Sequence, residues 1–577
     1  MIATEIEFMT RPQRWDVAFG PEMSEQDVDR LLAVEPFRSV DATRFPAKLS
    51  LRDILKNDTR IVRFKEGDIV LREGDYGDSA FLVLSGAVRV ALDALNPRLL
   101  GRREPKKRSL LRAIAQHWTN PRNIEVRDLH AYEIARQGVG SRGEGAHDTH
   151  IFLQDVDRII SSAATARLET GEVFGELAAL GRTPRTASIF AEGDTELLEI
   201  RWQGLREIRS RSEAIKNFID SRYRERALSN QLKHTALFAG LSDADLSELA
   251  DATEFETYGT FDWNTSYASL ARQDPAARLL QEPVIAQEGD YPNGLIIVRS
   301  GFARVSVKHG NGSKTTSYLG KGQVYGLDEL THNFGVSDPS KCLPLQHTLR
   351  AIGYVNILRV PTALIEKHVL RKMARADERD RPVPPKTPSG GKAANGAELI
   401  DAGTLEFLAD GRFINGTRTM MIDMDRCTRC DDCVRACAST HDNNPRFIRH
   451  GPIHGHHMIA NACMHCQDPV CMIGCPTGAI SRDPATGNVV INDNTCIGCA
   501  TCANSCPYEN IRMVEIRTDR GLPILDQNTS APIFKATKCD LCVDQWGGPA
   551  CERACPHDAL KRVDMSDLAS LGSWLRR

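Results

Sequence analysis

Sixteen of the seventeen cysteines in this chain fall between Cys427 and Cys555, in four groups. The first is Cys427-x2-Cys430-x2-Cys433-x3-Cys437, and the second is Cys463-x2-Cys466-x4-Cys471-x3-Cys475-Pro. The third is Cys496-x2-Cys499-x2-Cys502-x3-Cys506-Pro, and the fourth is Cys539-x2-Cys542-x8-Cys551-x3-Cys555-Pro. Two-residue gaps let successive thiolates wrap one iron–sulfur cubane from a tight loop. The last cysteine, one helical turn on, points away to a neighbouring cubane. The chemistry implied is transfer of single electrons. Zinc also accepts CxxC, but structural zinc sites draw two such knuckles and stop at four ligands, so zinc fits poorly. Disulfides would suit an exported chain; with CxxC-like spacing and no export signal, thiolate ligands in a reducing compartment are expected. Cys342 has no CxxC partner and reads as a buried or surface thiol.

A second chemistry sits in Phe174-Gly-Glu-Leu-Ala-Ala-Leu-Gly-Arg-Thr-Pro-Arg-Thr-Ala-Ser-Ile189. A glycine followed by a short helical turn turns backbone N–H groups toward an anion, and an arginine a few residues on can clamp a phosphate through two hydrogen bonds. The segment resembles the phosphate-binding cassette of cyclic nucleotide-binding domains, as in catabolite activator proteins, cyclic nucleotide-dependent kinases and cyclic nucleotide-gated channels. That resemblance implies that Gly175, Glu176, Leu177 and Ala178 cradle ribose and phosphate, that Arg185 holds the cyclic phosphate, and that Thr186 contacts phosphate or base. It leaves cAMP and cGMP both open, and a domain that keeps the loop and binds nothing is the bland alternative. A related segment begins at Tyr325-Gly-Leu-Asp-Glu-Leu330, but aligning Ile189-Phe-Ala191 with Leu349-Arg-Ala351 puts Leu345 where Arg185 stands. Leucine cannot hold a phosphate, so this copy is read as degenerate, a structural or docking module.

Two stretches must position these cassettes, Val62 to Val90 and Val284 to Val305. Both alternate apolar and polar residues over short runs punctuated by Gly-Asp and Ser-Gly turns, the pattern of antiparallel strands in a sandwich or jelly roll. Helical spacing follows each copy, at Gln203 to Leu232 and at Pro361 to Arg375. A basic stretch, Pro97 to Arg112, opens an insertion in the first copy. It reads first as a solvated surface and second as a docking surface for a partner. A smaller insertion falls around Gly259 to Gln281. Between 376 and 398 Pro, Gly, Ser and charge replace all apolar periodicity, which marks a linker. The expected fold class is therefore multidomain. Two β-jelly-roll cyclic nucleotide-binding-like domains with flanking helices (mainly β, α+β) precede an α+β polyferredoxin domain. The boundaries are 1–233 with the insertion at about 93–165, then 234–375, the linker at 376–398, and 399–577.

Within the cysteine-rich part, Cys463-Met-His-Cys-Gln-Asp-Pro-Val-Cys471, Lys538-Cys-Asp-Leu-Cys542 and the order of the groups resemble the four-cluster electron-transfer subunits of molybdopterin oxidoreductases and hydrogenases. The resemblance covers about Met420 to Val563. It implies four [4Fe–4S] clusters, ligated by Cys427, Cys430, Cys433 with Cys555; by Cys539, Cys542, Cys551 with Cys437; by Cys463, Cys466, Cys471 with Cys506; and by Cys496, Cys499, Cys502 with Cys475. No GxGxxG after a strand, P-loop or GxSxG elbow is present, so no catalytic residue is assigned and a non-catalytic subunit is expected. The expected partner is a catalytic oxidoreductase subunit carrying flavin, molybdopterin or Ni–Fe, in a hetero-oligomer, with a cyclic nucleotide as regulatory ligand.

Alternatives are a redox or oxygen sensor, and an assembly scaffold with vestigial nucleotide domains. With a formal net charge of −3, no helix-turn-helix, no signal peptide and no apolar run near the roughly 20 residues that span a bilayer, neither nucleic acid nor membrane is expected as a partner, and the location expected is the cytoplasm.

Overall fold

A computed structural model describes residues 8–9, 18–91, 125–126, 165–176, 185, 187–215, 218, 228, 232, 235–238, 240–259, 263, 267, 273, 275–310, 312–375, 400–472, 475–483, 486–493, 495–543, 545 and 547–576. The basic stretch 97–112, nearly all of the insertion around it, most of the insertion at 259–281, the linker 376–398, and the cassette positions Leu177, Ala178 and Thr186 lie outside the described residues. Contacts gather the chain into two units that do not follow chain order. One holds Met1–Tyr223, Arg426–His450 and Ala460–Leu560; the other holds Arg224–Asp425, Gly451–Ile459 and Lys561–Arg577. The stretch from 399 to 577, read above as one module, is thus shared between them.

The first unit opens with β1 (Phe8–Met9) and then builds a sandwich. Its strands are β2 (Thr59–Phe64), β3 (Ile69–Leu71), β4 (Ser79–Ser85), β5 (Val88–Ala91), β6 (Thr165–Leu168), β7 (Val173–Phe174), β8 (Ser188–Ala191) and β9 (Thr195–Arg201). They form two four-stranded sheets, β2-β9-β4-β7 and β3-β8-β5-β6. The neighbours β2/β9, β4/β9, β5/β8 and β5/β6 are antiparallel. Alternation directs Phe81, Val83, Val88, Ile189 and Leu197 into one apolar core, where the rings of Phe81 and Phe174 stack 5.3 Å apart. The helix after the sandwich, read above as continuous from Gln203, runs only over Trp202–Arg211. Ser212 takes an extended backbone, and its hydroxyl accepts the N–H of Ile215, so it caps a second helical start where the charge pattern alone suggested one long helix.

In the second unit, β10 (Glu254–Gly259), β11 (Val284–Ala286), β12 (Gly294–His309), β13 (Gly312–Leu319), β14 (Val324–Tyr325) and β15 (Thr348–Pro361) form a six-stranded sheet with the path β10-β15-β12-β13. A small antiparallel sheet of β16 (Thr419–Asp423), β17 (Ile453–His454) and β18 (His457–Ile459) belongs to the same unit. Arg304 on β12, only 1% exposed, binds Glu282 through two hydrogen bonds of 2.9 and 3.0 Å, and also binds Glu406 at 2.9 Å and Asp410 at 2.8 Å. Burial opposes its charge, but Glu282 and Asp410 outweigh burial and hold its pKa above the usual arginine value. Glu406 and Asp410 lie on the helix Ala402–Asp410, so one arginine ties the chain beyond the linker to the second sandwich. Removing one partner of such a cluster strands buried charge. Arg304→Met is therefore expected to cost about 3–5 kcal/mol and to lower the denaturation midpoint of the second unit. An unchanged midpoint in urea titration would refute this.

The cysteine-rich part of the first unit is mostly loop. It carries the hairpin of β19 (Ile480–Arg482) and β20 (Val489–Ile491) and the antiparallel pair of β21 (Arg512–Glu515) and β23 (Phe534–Thr537). Between them, β22 (Leu525–Asp526) pairs in parallel with β1.

Candidate functional site

The CxxC loops share a backbone device. The residue just before the second cysteine of each group is left-handed: Arg429 (φ 62°), His465 (φ 48°), Gly498 (φ 67°) and Leu541 (φ 62°). This conformation reverses the chain sharply enough for both thiols to face one point. The third cysteine of three groups then sits on a short helix: Cys433 on Asp432–Thr440, Cys502 on Thr501–Ser505 and Cys551 on Ala550–Arg553. One turn of helix carries the fourth cysteine to a different neighbourhood.

Those neighbourhoods are crossed. Cys433 lies beside Cys555, and Cys437 beside Cys539, Cys542 and Cys551. Cys466 lies beside Cys463, Cys471 and Cys506, and Cys502 beside Cys475, Cys496 and Cys499. The last set lines one cavity, walled by Ile480, Ile491, Met513 and Ala536, so four sulfur donors converge on a space closed by apolar side chains. Soft thiolate donors in fours suit an iron–sulfur cluster. Burial pushes the thiols up, to about 11 for Cys433, Cys506 and Cys542 and to about 12 for Cys502. They are therefore protonated in the metal-free chain and lose their protons to bind iron. Backbone N–H groups of Arg446, Leu541 and Ala559 donate to the sulfurs of Cys437, Cys539 and Cys555 at 3.2, 3.4 and 3.3 Å. Cys430 and Cys499 are exposed. Cys342 is half-buried.

In the first sandwich, Arg185 is 6% exposed, with Nη2 donating to the Ser79 carbonyl at 2.7 Å and Nη1 donating to the Gly175 carbonyl. Its backbone is pinned too: its N–H donates to the Asp75 carbonyl at 2.7 Å and its carbonyl accepts from Gly74 at 2.8 Å. Burial lowers its pKa to about 10, against the pull of Glu199, Asp78, Glu176 and Asp75, so it remains a cation at neutral pH. Gly175 (φ 77°) has to be glycine here, because a Cβ would stand 2.7 Å from Nη1. Gly77 is tighter still, with a Cβ position 2.1 Å from Nη2. Glu176 is buried next to this group.

The second sandwich repeats the frame without the cation. The N–H of Leu345 donates to the Asp290 carbonyl at 2.8 Å, and its carbonyl accepts from Gly289 at 2.9 Å. Three residues on, the Thr348 hydroxyl accepts from the Glu288 N–H, as the Ser188 hydroxyl accepts from the Glu73 N–H. Leu345 thus holds the place of Arg185, and its side chain joins an apolar core with Ile285, Ile296 and Val298.

Residues 455–565 match the family model of the 4Fe-4S dicluster domain, and residues 156–212 match that of the cyclic nucleotide-binding domain. The chain is 36% identical over 172 residues to the electron transport protein HydN of Escherichia coli (strain K12), a match that takes in 28% of this chain and 95% of that relative. The chain belongs to the HydN-like family of iron–sulfur electron transport proteins. Formate hydrogenlyase subunit 2 of the same strain is 31% identical over 183 residues, covering 28% of this chain and 88% of the relative. An iron-sulfur protein of Rhodospirillum rubrum is 33% identical over 159 residues, covering 24% and 79%. Among solved structures, the regulatory domain of Toxoplasma gondii PKA with cAMP matches at 14% identity over 61% of this chain and 97% of that chain, with a TM-score of 0.21. The HydN-like part makes this an iron–sulfur electron-transfer protein with [4Fe–4S] clusters, preceded by a cyclic nucleotide-binding domain fold. No helix among the described residues is long and apolar enough to cross a membrane.

Several residues of the HydN-like part that cysteine spacing does not reveal surround the thiols. Lys538, 4% exposed, donates to the carbonyls of Cys539 and Val489 and stands near Cys471 and Cys506. Lys535, 5% exposed, donates to the carbonyls of Cys496 at 2.6 Å and Asp493 at 2.9 Å. Buried ammonium groups are rare without a counter-charge, and an anionic cluster is such a charge. His441 lies 3.4 Å from both the sulfur of Cys542 and a carboxylate oxygen of Asp540. In the sequence only the lysine preceding Cys539 adjoins a ligand motif, and nothing local marks the others as cluster neighbours.

Proposed function

We propose that this chain is the electron-relaying subunit of a larger cytoplasmic oxidoreductase. In this reading it carries four [4Fe–4S] clusters in the crossed sets given above, and a cyclic nucleotide held at Gly175, Glu176 and Arg185 modulates its relay or docking. When bound, the clusters supply acceptance and release of one electron at a time. The observation that carries the reading is the crossing itself, because Cys437 and Cys555 exchange places between two groups and so bind neighbouring sites together. Cys475 and Cys506 exchange places between the other two groups in the same way, Cys471 also lies near Cys502, and Lys538 reaches from Cys539 toward Cys471 and Cys506. The sites therefore order as a line with exposed Cys430 at one end and exposed Cys499 at the other, which suits a donor at one face and an acceptor at another. The names of the relatives, an electron transport protein and a subunit of formate hydrogenlyase, favour a catalytic partner of the same broad kind.

The protein's own groups set the electrostatics. Lys535 and Lys538 hold positive charge beside the thiolates, and N–H donors to sulfur add to it, both of which ease reduction. Lys538→Met is expected to lower the midpoint potential of an adjacent cluster by on the order of 50 mV. EPR-monitored redox titration reads this directly, and unchanged potentials would discount the lysine.

The test of the whole reading is anaerobic purification of the native protein, followed by mass spectrometry of co-purifying chains and analysis for flavin, molybdopterin and nickel. A stoichiometric partner carrying one of these is the expected result. A cluster-loaded protein that repeatedly purifies alone would count against a subunit role.

A further inference from the structure

The cyclic nucleotide cassette and the cluster loops meet within the first unit, through Tyr76. This residue lies between Asp75, whose carbonyl accepts the N–H of Arg185, and Gly77, whose bare Cα faces the Arg185 guanidinium. On its other side the ring of Tyr76 packs under the guanidinium of Arg482, 4.8 Å from the ring centroid, and closes against Gly487, where a Cβ would come within 2.4 Å of the ring. Arg482 is buried, and both of its terminal nitrogens are engaged. Nη1 donates to the Gly487 carbonyl at 2.7 Å, and Nη2 donates to the carbonyls of Cys466 at 2.7 Å and Gln467 at 2.6 Å. A second contact runs alongside: buried Gln203, at the start of the helix after the sandwich, lies against Gly478, three residues beyond Cys475.

We propose that Tyr76 and Arg482 couple nucleotide occupancy at Arg185 to the redox state of the cluster held by Cys463, Cys466, Cys471 and Cys506. The proposal rests on the reading above that Arg185 takes a cyclic nucleotide. In the described state the Arg185 guanidinium is held by the carbonyls of Ser79 and Gly175. A phosphate competes for the same donors, so binding shifts the guanidinium against the strip Asp75-Tyr76-Gly77. Tyr76 is the face on which Arg482 rests, and Arg482 is both a backbone clamp on Cys466 and a fixed positive charge beside its thiolate. Displacing it changes how well the site tolerates one more electron. Linkage makes the effect reciprocal: if nucleotide shifts the potential, reduction must shift nucleotide affinity by the same factor.

The reciprocity supplies the experiment. cAMP and cGMP are each titrated calorimetrically into the anaerobic, cluster-loaded full chain, once oxidised and once reduced with dithionite. The expected result is an affinity ratio of at least about fivefold between the two states, which corresponds to about 40 mV for a one-electron couple. Tyr76→Ala is expected to bring the ratio to one while retaining binding and iron content, and Tyr76→Phe, which keeps the ring, to preserve it. Binding that is equal in the two redox states overturns the coupling alone, as does a ratio that survives in Tyr76→Ala. Absence of binding of either nucleotide in both states overturns the nucleotide reading and the coupling with it.

Discussion

Arg185→Ala is expected to abolish binding of cAMP and cGMP to the full-length protein while leaving its iron and sulfide content unchanged. A buried guanidinium that gives two charge-assisted hydrogen bonds to a phosphate contributes several kcal/mol, so a loss of affinity exceeding about 100-fold is anticipated. The second sandwich is an internal precedent for what remains: Leu345 sits in the same pair of backbone hydrogen bonds and offers the pocket only methyl groups. Arg185→Leu should therefore fold and bind no better than the alanine variant. Calorimetry with both nucleotides, run beside iron analysis, checks the pair. Affinity within a few-fold of the native protein would remove Arg185 from the site, and loss of iron would show that cassette and clusters are not independent.

The other large effect is expected at the crossing cysteines. In the proposed crossed sets, Cys437→Ser withdraws one ligand from the site of Cys539, Cys542 and Cys551, although it lies in another group, and should cost about a quarter of the iron. Cys555→Ser should do the same to the site of Cys427, Cys430 and Cys433. In the proposed line Cys437 serves an interior site, so its loss should also stop electron passage between the exposed ends. Cys342→Ser, a thiol outside all four sets, is the control and should change neither iron nor transfer. Full iron content in Cys437→Ser would contradict the crossed assignment. Electron passage can be followed by stopped-flow reduction of the terminal clusters.

Much of this architecture was readable before any coordinate. Alternation in 62–90 and 284–305 marked the sandwiches because a strand's side chains take sides every second residue, whatever the strand later packs against. The CxxC spacing marked cluster loops for a similar reason: whether two thiols can face one point depends on three peptide units. The equivalence of Leu345 with Arg185 was likewise local, since it followed from aligning two short strands. The break after the first sandwich's helix is not legible in the sequence, because a charged helical pattern passes unbroken through Ser212, while the cap of the next helical start depends on one hydroxyl finding the N–H of Ile215.

Other features had no signature in any window of sequence. Nothing near Arg304 announces that Glu282, Glu406 and Asp410 will surround it, and an arginine inside a β-strand reads as a solvent-facing position. Arg429, His465 and Leu541 are left-handed without being glycine, so the turn that bends each loop is invisible in three of the four groups. The meeting of Tyr76 with Arg482 joins residues some four hundred positions apart. Spacing along the chain dictates what neighbouring atoms can reach, and that was enough for loops and strands. The surroundings of each charge, and hence its potential and its partners, depend on packing between distant segments, which are brought together by burial of surfaces whose complementarity no local pattern contains.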